Sequence, residues 1–282
     1  TETGDVTTMR PYIIRAYYFS NDFARAKQEL MADLTAKQQA GKTPTIEELQ
    51  LLANTGSKSK DPATYLVAME NLVRYYPSDD YWSDLLSRTQ GKAGYSDRFA
   101  LDVLRLQFKA VGTMPPQDYS DMAEIALQNA FPTEAKKVLD AGFAKGVLGT
   151  GANAAKHKKL RDQANKAAAD DAKNIASGEA SAMKSKDGTG LINLGYAFVT
   201  MDQFDKGIDL IQKGIAKGGL KRPEDAKLRL GYSYAMAGKK DDAIKVLETV
   251  KGGDGVGDLA RYWILWLNRP ATAAAAPAAA AQ

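Results

Sequence analysis

One pattern occurs twice between Leu191 and Val250, and it limits what this chain can become. A Leu-Gly-Tyr triplet (Leu194-Gly195-Tyr196, then Leu230-Gly231-Tyr232) is followed, twelve residues after the glycine, by a small residue. That residue is Gly207 in the first copy and Ala243 in the second, and the glycines stand 36 residues apart. In the second copy Leu228, Leu230, Tyr232 and Tyr234 fall on one helix, with Gly231 as a bare spot. Ile244, Leu247 and Val250 recur at three-residue steps and mark the inner stripe of a second helix. Gly238 lies between them, where a helix C-terminus favours glycine, and Asp241-Asp242 suit the positive end of the next helix. Two antiparallel helices this close need a small residue on each side, and Gly231 and Ala243 are placed to meet.

The spacing, the paired small residues and the aromatic three after each glycine (Phe198, Tyr234) resemble the tetratricopeptide repeat, whose period is about 34 residues. The resemblance implies an all-α chain, an α-solenoid of antiparallel helix pairs wound into a right-handed superhelix. We expect about seven repeats plus a C-terminal capping helix.

Taken in order, Thr1–Thr8 is a polar lead-in expected to be disordered, and residues 9–268 form the repeat domain. The first unit has Ile14 and Ala26 twelve apart, with Asn21-Asp22 as its turn and a long second helix reaching about Ala40. Thr45 and Glu48 form a capping box. The stretch from Gly56 reads as a loop, closed by Asp61 as N-cap and Pro62 at the first helical position. Tyr65–Tyr76 is a helix ended by Pro77, and Ser78 caps the next. Phe99–Val111 is expected as the apolar partner of that helix, across a long turn. The clearest repeats are 117–146, with Ala123 and Ala135 twelve apart, 188–220 and 224–252. Residues 256–268 form the cap and 270–282 an Ala/Pro-rich flexible tail. Asn153–Ser185 is rich in Ala and Lys and poor in large apolar residues, so it buries little area. It reads as two helices, breaking near Ala169–Asp171, and as the softest unit.

Composition excludes several functions. The chain has 282 residues, 44% of them hydrophobic, a net charge of +4 and no cysteine, so disulfides and thiolate chemistry are absent. The mild positive charge is spread along the chain and is no nucleic-acid footprint. No run of about 18 apolar residues marks a membrane span. The start at Thr1 suggests a processed or trimmed end, which favours a periplasmic or secreted protein, with a cytoplasmic one as the alternative. The single histidine, His157, sits among lysines without metal-ligand spacing and reads as a surface residue. Gly149-Thr150-Gly151 lacks the preceding strand of a dinucleotide fingerprint. Asp79-Asp80, Asp170-Asp171 and Asp241-Asp242 fit helix starts or turns. The basic excess in Lys156–Lys186 carries no interleaved aromatic to stack on bases, and reads as a solvated face. No catalytic, cofactor-binding or metal-binding residue is expected.

In repeats of this kind the first helices line a concave groove. The resemblance places groove positions at Ile192, Tyr196, Val199 and Thr200, then Leu228, Tyr232, Ala235 and Met236. It adds Ser120, Glu124, Leu127 and Gln128 from the 117–146 unit, and Pro11, Arg15, Tyr18 and Phe19 from the first. Tyrosine makes a good anchor because it buries area at little entropy cost. The Lys and Asn with which some relatives grip a peptide carboxylate are replaced here by Ile192 with Tyr196 and Leu228 with Tyr232. The expectation is a non-enzymatic adaptor that binds a protein or peptide segment in an apolar, aromatic groove. The alternative is a structural protein stacking head to tail, with the outward-facing one of Trp263 and Trp266 as a subunit contact. A catalytic or accessory enzyme domain ranks third.

Overall fold

A computed structural model describes residues 6–270, with side chains from Met9 onward. The fold is all-helical, with fifteen α-helices, two 3-10 turns and no strand among the described residues. Neighbouring helices pack in pairs, consistent with an α-solenoid. The chain divides into two compact units. The first holds α1 (Val6–Phe19), α2 (Phe23–Gln39), α3 (Ile46–Lys58), α4 (Pro62–Tyr75) and α5 (Asp79–Gln90). The second, Gly94–Leu267, begins with α6 (Ala100–Ala110), α7 (Pro116–Gln128), α8 (Pro132–Ala144), α9 (Ala154–Asn174) and α10 (Gly178–Lys184). It continues with α11 (Thr189–Thr200), α12 (Phe204–Lys217), α13 (Pro223–Met236), α14 (Lys240–Leu247) and α15 (Val256–Leu267). The expected partners α5 and α6 therefore belong to different units.

Five hairpins share one turn. Asn21, Lys60, Ala130, Asp202 and Gly238 all have φ between 55° and 74°. Each lies seven residues after the position held by Ile14, Ala53, Ala123, Gly195 or Gly231. The next residue closes a six-residue hydrogen-bonded loop back onto the first helix: Asp22 N to Tyr17 O, Asp61 N to Gly56 O, Phe131 N to Ala126 O, Gln203 N to Phe198 O and Lys239 N to Tyr234 O. This closure satisfies carbonyls that would otherwise be orphaned at the helix end. Only one of the five left-handed residues is glycine, so side-chain identity conceals the periodicity.

Side-chain caps set the starts of the next helices as expected. Thr45 and Glu48 complete the capping box, Asp61 accepts from Thr64 N, and Ser78 accepts from Tyr81 N. The close approach of α11 and α12 is made by glycine on both sides. A Cβ on Gly195 would stand 2.5 Å from the Gly207 carbonyl oxygen, and one on Gly207 would stand 2.5 Å from that of Gly195. Two helical turns further on, Gly188 and Gly214 repeat the contact. In the second copy the bare face of Gly231 receives the side chain of Leu247, 2.5 Å from where a Cβ would be, rather than Ala243.

Several expectations are corrected. α3 runs through Gly56 to Lys58 instead of ending before the glycine. Thr55 and Gly56 are buried, and a Cβ on Gly56 would lie 2.7 Å from Tyr65 N, so the glycine permits the α3–α4 contact rather than a loop. α9 passes through Ala169–Asp171 unbroken and ends in the 3-10 turn Ile175–Ser177. Alanine-rich sequence favours continued helix, and Asp170-Asp171 lie inside it rather than at a cap. α1 begins at Val6, inside the expected lead-in. Thr1–Asp5 and, but for Pro270, the tail 270–282 lie outside the described residues.

Candidate functional site

The second unit is organised about α6. Within that unit the helix touches both α7, which follows it, and α15. Arg98, Asp102, Arg105 and Lys109 lie at four-, three- and four-residue steps and therefore share one face. Arg98 donates from Nε and Nη2 to the Asp225 carboxylate (3.0 and 3.1 Å) at the start of α13, and from Nη2 to Asp254 (2.6 Å) before α15. Ser96 N adds a bond to Asp254 O at 2.9 Å. Arg105 forks onto Glu134 at the start of α8, 2.7 Å from Nε and 2.6 Å from Nη2, and its Nη1 reaches Asp102 at 2.9 Å. The indole Nε1 of Trp266 donates to Lys109 O at 3.0 Å.

An aromatic file receives this face. Ring centroids run Phe131 to Tyr196 (5.1 Å), to Tyr232 (5.7 Å), to Trp263 (5.2 Å), to Trp266 (5.5 Å), one step per helix until the last pair within α15. The Arg105 guanidinium stands 4.6 Å from the Tyr196 ring centroid and within 6 Å of those of Phe131 and Tyr232. Arg105 is 3% exposed and Glu134 7%. Burial opposes the charge of Arg105, but Glu134 overrides it and holds the guanidinium pKa above its ordinary value. Burial pushes the Tyr196 and Tyr232 phenols up, against the pull of Arg105, so both are neutral. Arg105, Glu134 and Asp102 thus form one charge-paired cluster enclosed by the rings of Phe131, Tyr196 and Tyr232.

Several expected groove positions are covered. Ile192, Tyr196, Val199, Thr200, Leu228, Ala235 and Ser120 are buried, with Tyr196 only 1% exposed, which corrects the expectation of an open groove there. At Tyr196 the reason is Arg105 of α6, whose guanidinium lies over the ring, while Ile192 and Val199 pack against Gly214 and Gly207 of α12. Tyr232 and Met236 remain half-buried on the open side. Glu124 is half-buried and pairs with Lys156 at 3.6 Å, Leu127 is half-buried, and Gln128 is exposed. Trp263 is buried, and Trp266 is half-buried with its indole bonded to Lys109 O of α6. In the other unit Pro11, Arg15 and Phe19 are exposed and Tyr18 is half-buried. His157 is buried rather than on the surface, and its Nδ1 accepts from Gly149 N at 3.2 Å.

Sequence reasoning missed Arg98, Arg105, Lys109, Glu134 and Asp225. The signal was available as the charged stripe of α6, which is ordinarily a solvated face. What distinguishes it is its setting in a helix whose Leu101, Val103 and Leu106 are also buried, leaving little of the helix for water.

No helix among the described residues is long and apolar enough to cross a membrane, and no group of three or more His, Asp and Glu among them could hold a metal ion. The molecule belongs to the all-α class of paired-helix arrays. No protein-family model matches the chain, and no curated protein matches it significantly.

Proposed function

We propose that the protein is a non-enzymatic scaffold of the tetratricopeptide-repeat type, with right-handed winding, that holds a protein segment against the first helices of its second unit. One observation carries this reading: that face already meets a segment of the chain itself, Arg98 in the turn before α6 forking onto Asp225 of α13 and Arg105 of α6 lying over the Tyr196 ring of α11. The surface left open beside α6, at Tyr232 and Met236, is where a partner segment extends the same contact. A photo-crosslinking residue at Met236 tests it against one at Gln212, which is exposed on α12. The reading expects a partner from the native source to cross-link at Met236 and not at Gln212. Equal yields, or none at Met236, remove it.

Self-assembly is the second reading, and α1 favours it. Met9, Tyr12, Ile13 and Phe19 recur on one side of that helix and are exposed, Phe19 to 77%. Sedimentation across a concentration series should show association that Tyr12→Asp with Phe19→Asp abolishes. A monomer at every concentration ends that reading.

A further inference from the structure

Beside the C-terminal end of α6 lies a cleft of about 210 Å³, entirely within the second unit. Its polar groups do not balance. Arg105, Lys109 and Lys137 line it together with Glu134 and Asp202, which leaves one positive charge. Glu134 is committed to Arg105. Asp202 is committed to Lys137, whose ammonium stands 2.7 Å from Asp202 Oδ1 and also donates to Thr200 O at 2.7 Å. The Lys109 ammonium has no hydrogen-bond or ion-pair partner among the described residues, and stands 5.8 Å from the centroid of the Phe108 ring. Its surroundings disfavour its charge: burial and then the neighbouring Lys137 ammonium lower its pKa, against the pull of Asp202 and Glu134. The remaining wall is apolar and partly open, made by Phe108, Phe204 and Met236, with Tyr232 at one side. Lys109 is an exposed residue, so its unpaired ammonium is accessible to an anion that enters the cleft.

We propose that this cleft is a binding site for a small organic monoanion, a carboxylate on an apolar body. The carboxylate would lie between Lys109 and Lys137, and the body against Phe108, Phe204 and Met236. The volume is below the range of about 300–1,000 Å³ usual for drug-sized ligands, so the occupant is a small free acid or one acidic side chain with its apolar neighbour. A single excess positive charge suits a monoanion better than a phosphate dianion. The cleft shares Tyr232 and Met236 with the partner surface proposed above, yet a free acid could fill it in a protein that binds no partner.

The test is calorimetric titration of the full-length protein with 3-phenylpropionate and with its neutral amide. A second arm uses a short capped peptide with one Glu between leucines, and the same peptide with Gln. The acid or the Glu peptide should bind about tenfold more tightly than its neutral counterpart, the gain of one charge-assisted contact. Lys109→Gln should remove that preference, and Lys109→Arg should keep most of it. Lys109 is an exposed residue, so neither change threatens the fold. Preference for the acid alone assigns a free small molecule, and preference for the Glu peptide alone assigns a side chain. Equal binding of charged and neutral forms, saturation by neither acid nor Glu peptide, or an unchanged preference in Lys109→Gln overturns the proposal.

Discussion

The second unit contains two adjacent stretches of very different construction. In α11–α14 the helices meet through glycine and large apolar side chains. Leu191, Phe198 and Leu210 form a common core, and Ile211, Leu228 and Leu247 of the same stretch are also buried. In α9–α10 the buried residues are His157, Leu160, Ala164 and Ala168, and α10 buries none. Isoleucine 175 and Ala182 are the contribution of that stretch to the neighbouring core, both only partly buried. Both stretches are helical, yet helix propensity sustains α9 while interdigitated packing sustains α11–α14. At about 25 cal/mol per Å² of apolar surface, alanine contacts contribute little each, so the same secondary structure carries unequal local stability.

The largest test of this difference is Gly195→Ala. Its new Cβ meets the backbone of α12, which cannot rotate away, and we expect a loss of about 3 kcal/mol in denaturant unfolding. A loss below about 1 kcal/mol would show that α11 and α12 are not held by close backbone contact. Next in size, amides of α10 should exchange with solvent about a hundredfold faster than those of the α11 interior, read by hydrogen-exchange mass spectrometry. Equal protection would contradict the contrast. Gly231→Ala should cost about 1 kcal/mol, less than Gly195→Ala, because the obstacle is the Leu247 side chain, which has other rotamers. The reverse order would break the distinction between the two copies.

The smallest effect concerns charge. Burial alone raises the pKa of Asp171 in α9. By contrast, Glu224 at the start of α13 is held below its usual value; burial opposes this, but the hydrogen bonds from Lys227 and Lys251 N prevail. A carboxyl raised in the fold favours folding while protonated, and that contribution is lost as pH rises through its folded pKa. Asp171→Asn should therefore raise the melting temperature slightly at neutral pH, and the gain should vanish at pH below the ordinary carboxylate range. Glu224→Gln should do the opposite, lowering stability at neutral pH and losing its effect in acid.

The hairpins were legible because their causes are local. A capping box at Thr45 and Glu48, an Asp61-Pro62 start and a Ser78 cap each act within a few residues. Glycine pairs twelve apart announce a close crossing. The common turn was less legible, because Lys60, Ala130 and Asp202 adopt a left-handed backbone that hydrogen bonding enforces without glycine. The site was least legible. Tyr196 and Tyr232 carry the right pattern for a first-helix face, but no local rule says what covers that face. The group over Tyr196, Arg105 of α6, lies about 90 residues earlier, and the charged stripe of that helix looks like a surface until the acids at Asp225, Asp254 and Glu134 are seen opposite.

That return of α6 changes how the second unit can come into being. An open array of repeats needs only neighbour contacts, so it can assemble from any point and tolerate gain or loss of a unit. Here Arg98 must find Asp254, 156 residues away, and Trp266 must find Lys109, 157 away. Closure over such a separation comes late and slowly. The hairpins can form early, one by one, but the file of rings and its arginines can be completed only after α15 exists. A repeat inserted or deleted between α7 and α15 would leave α6 reaching for partners displaced by a whole hairpin. The unit is thereby fixed in its number of repeats, as an open solenoid is not.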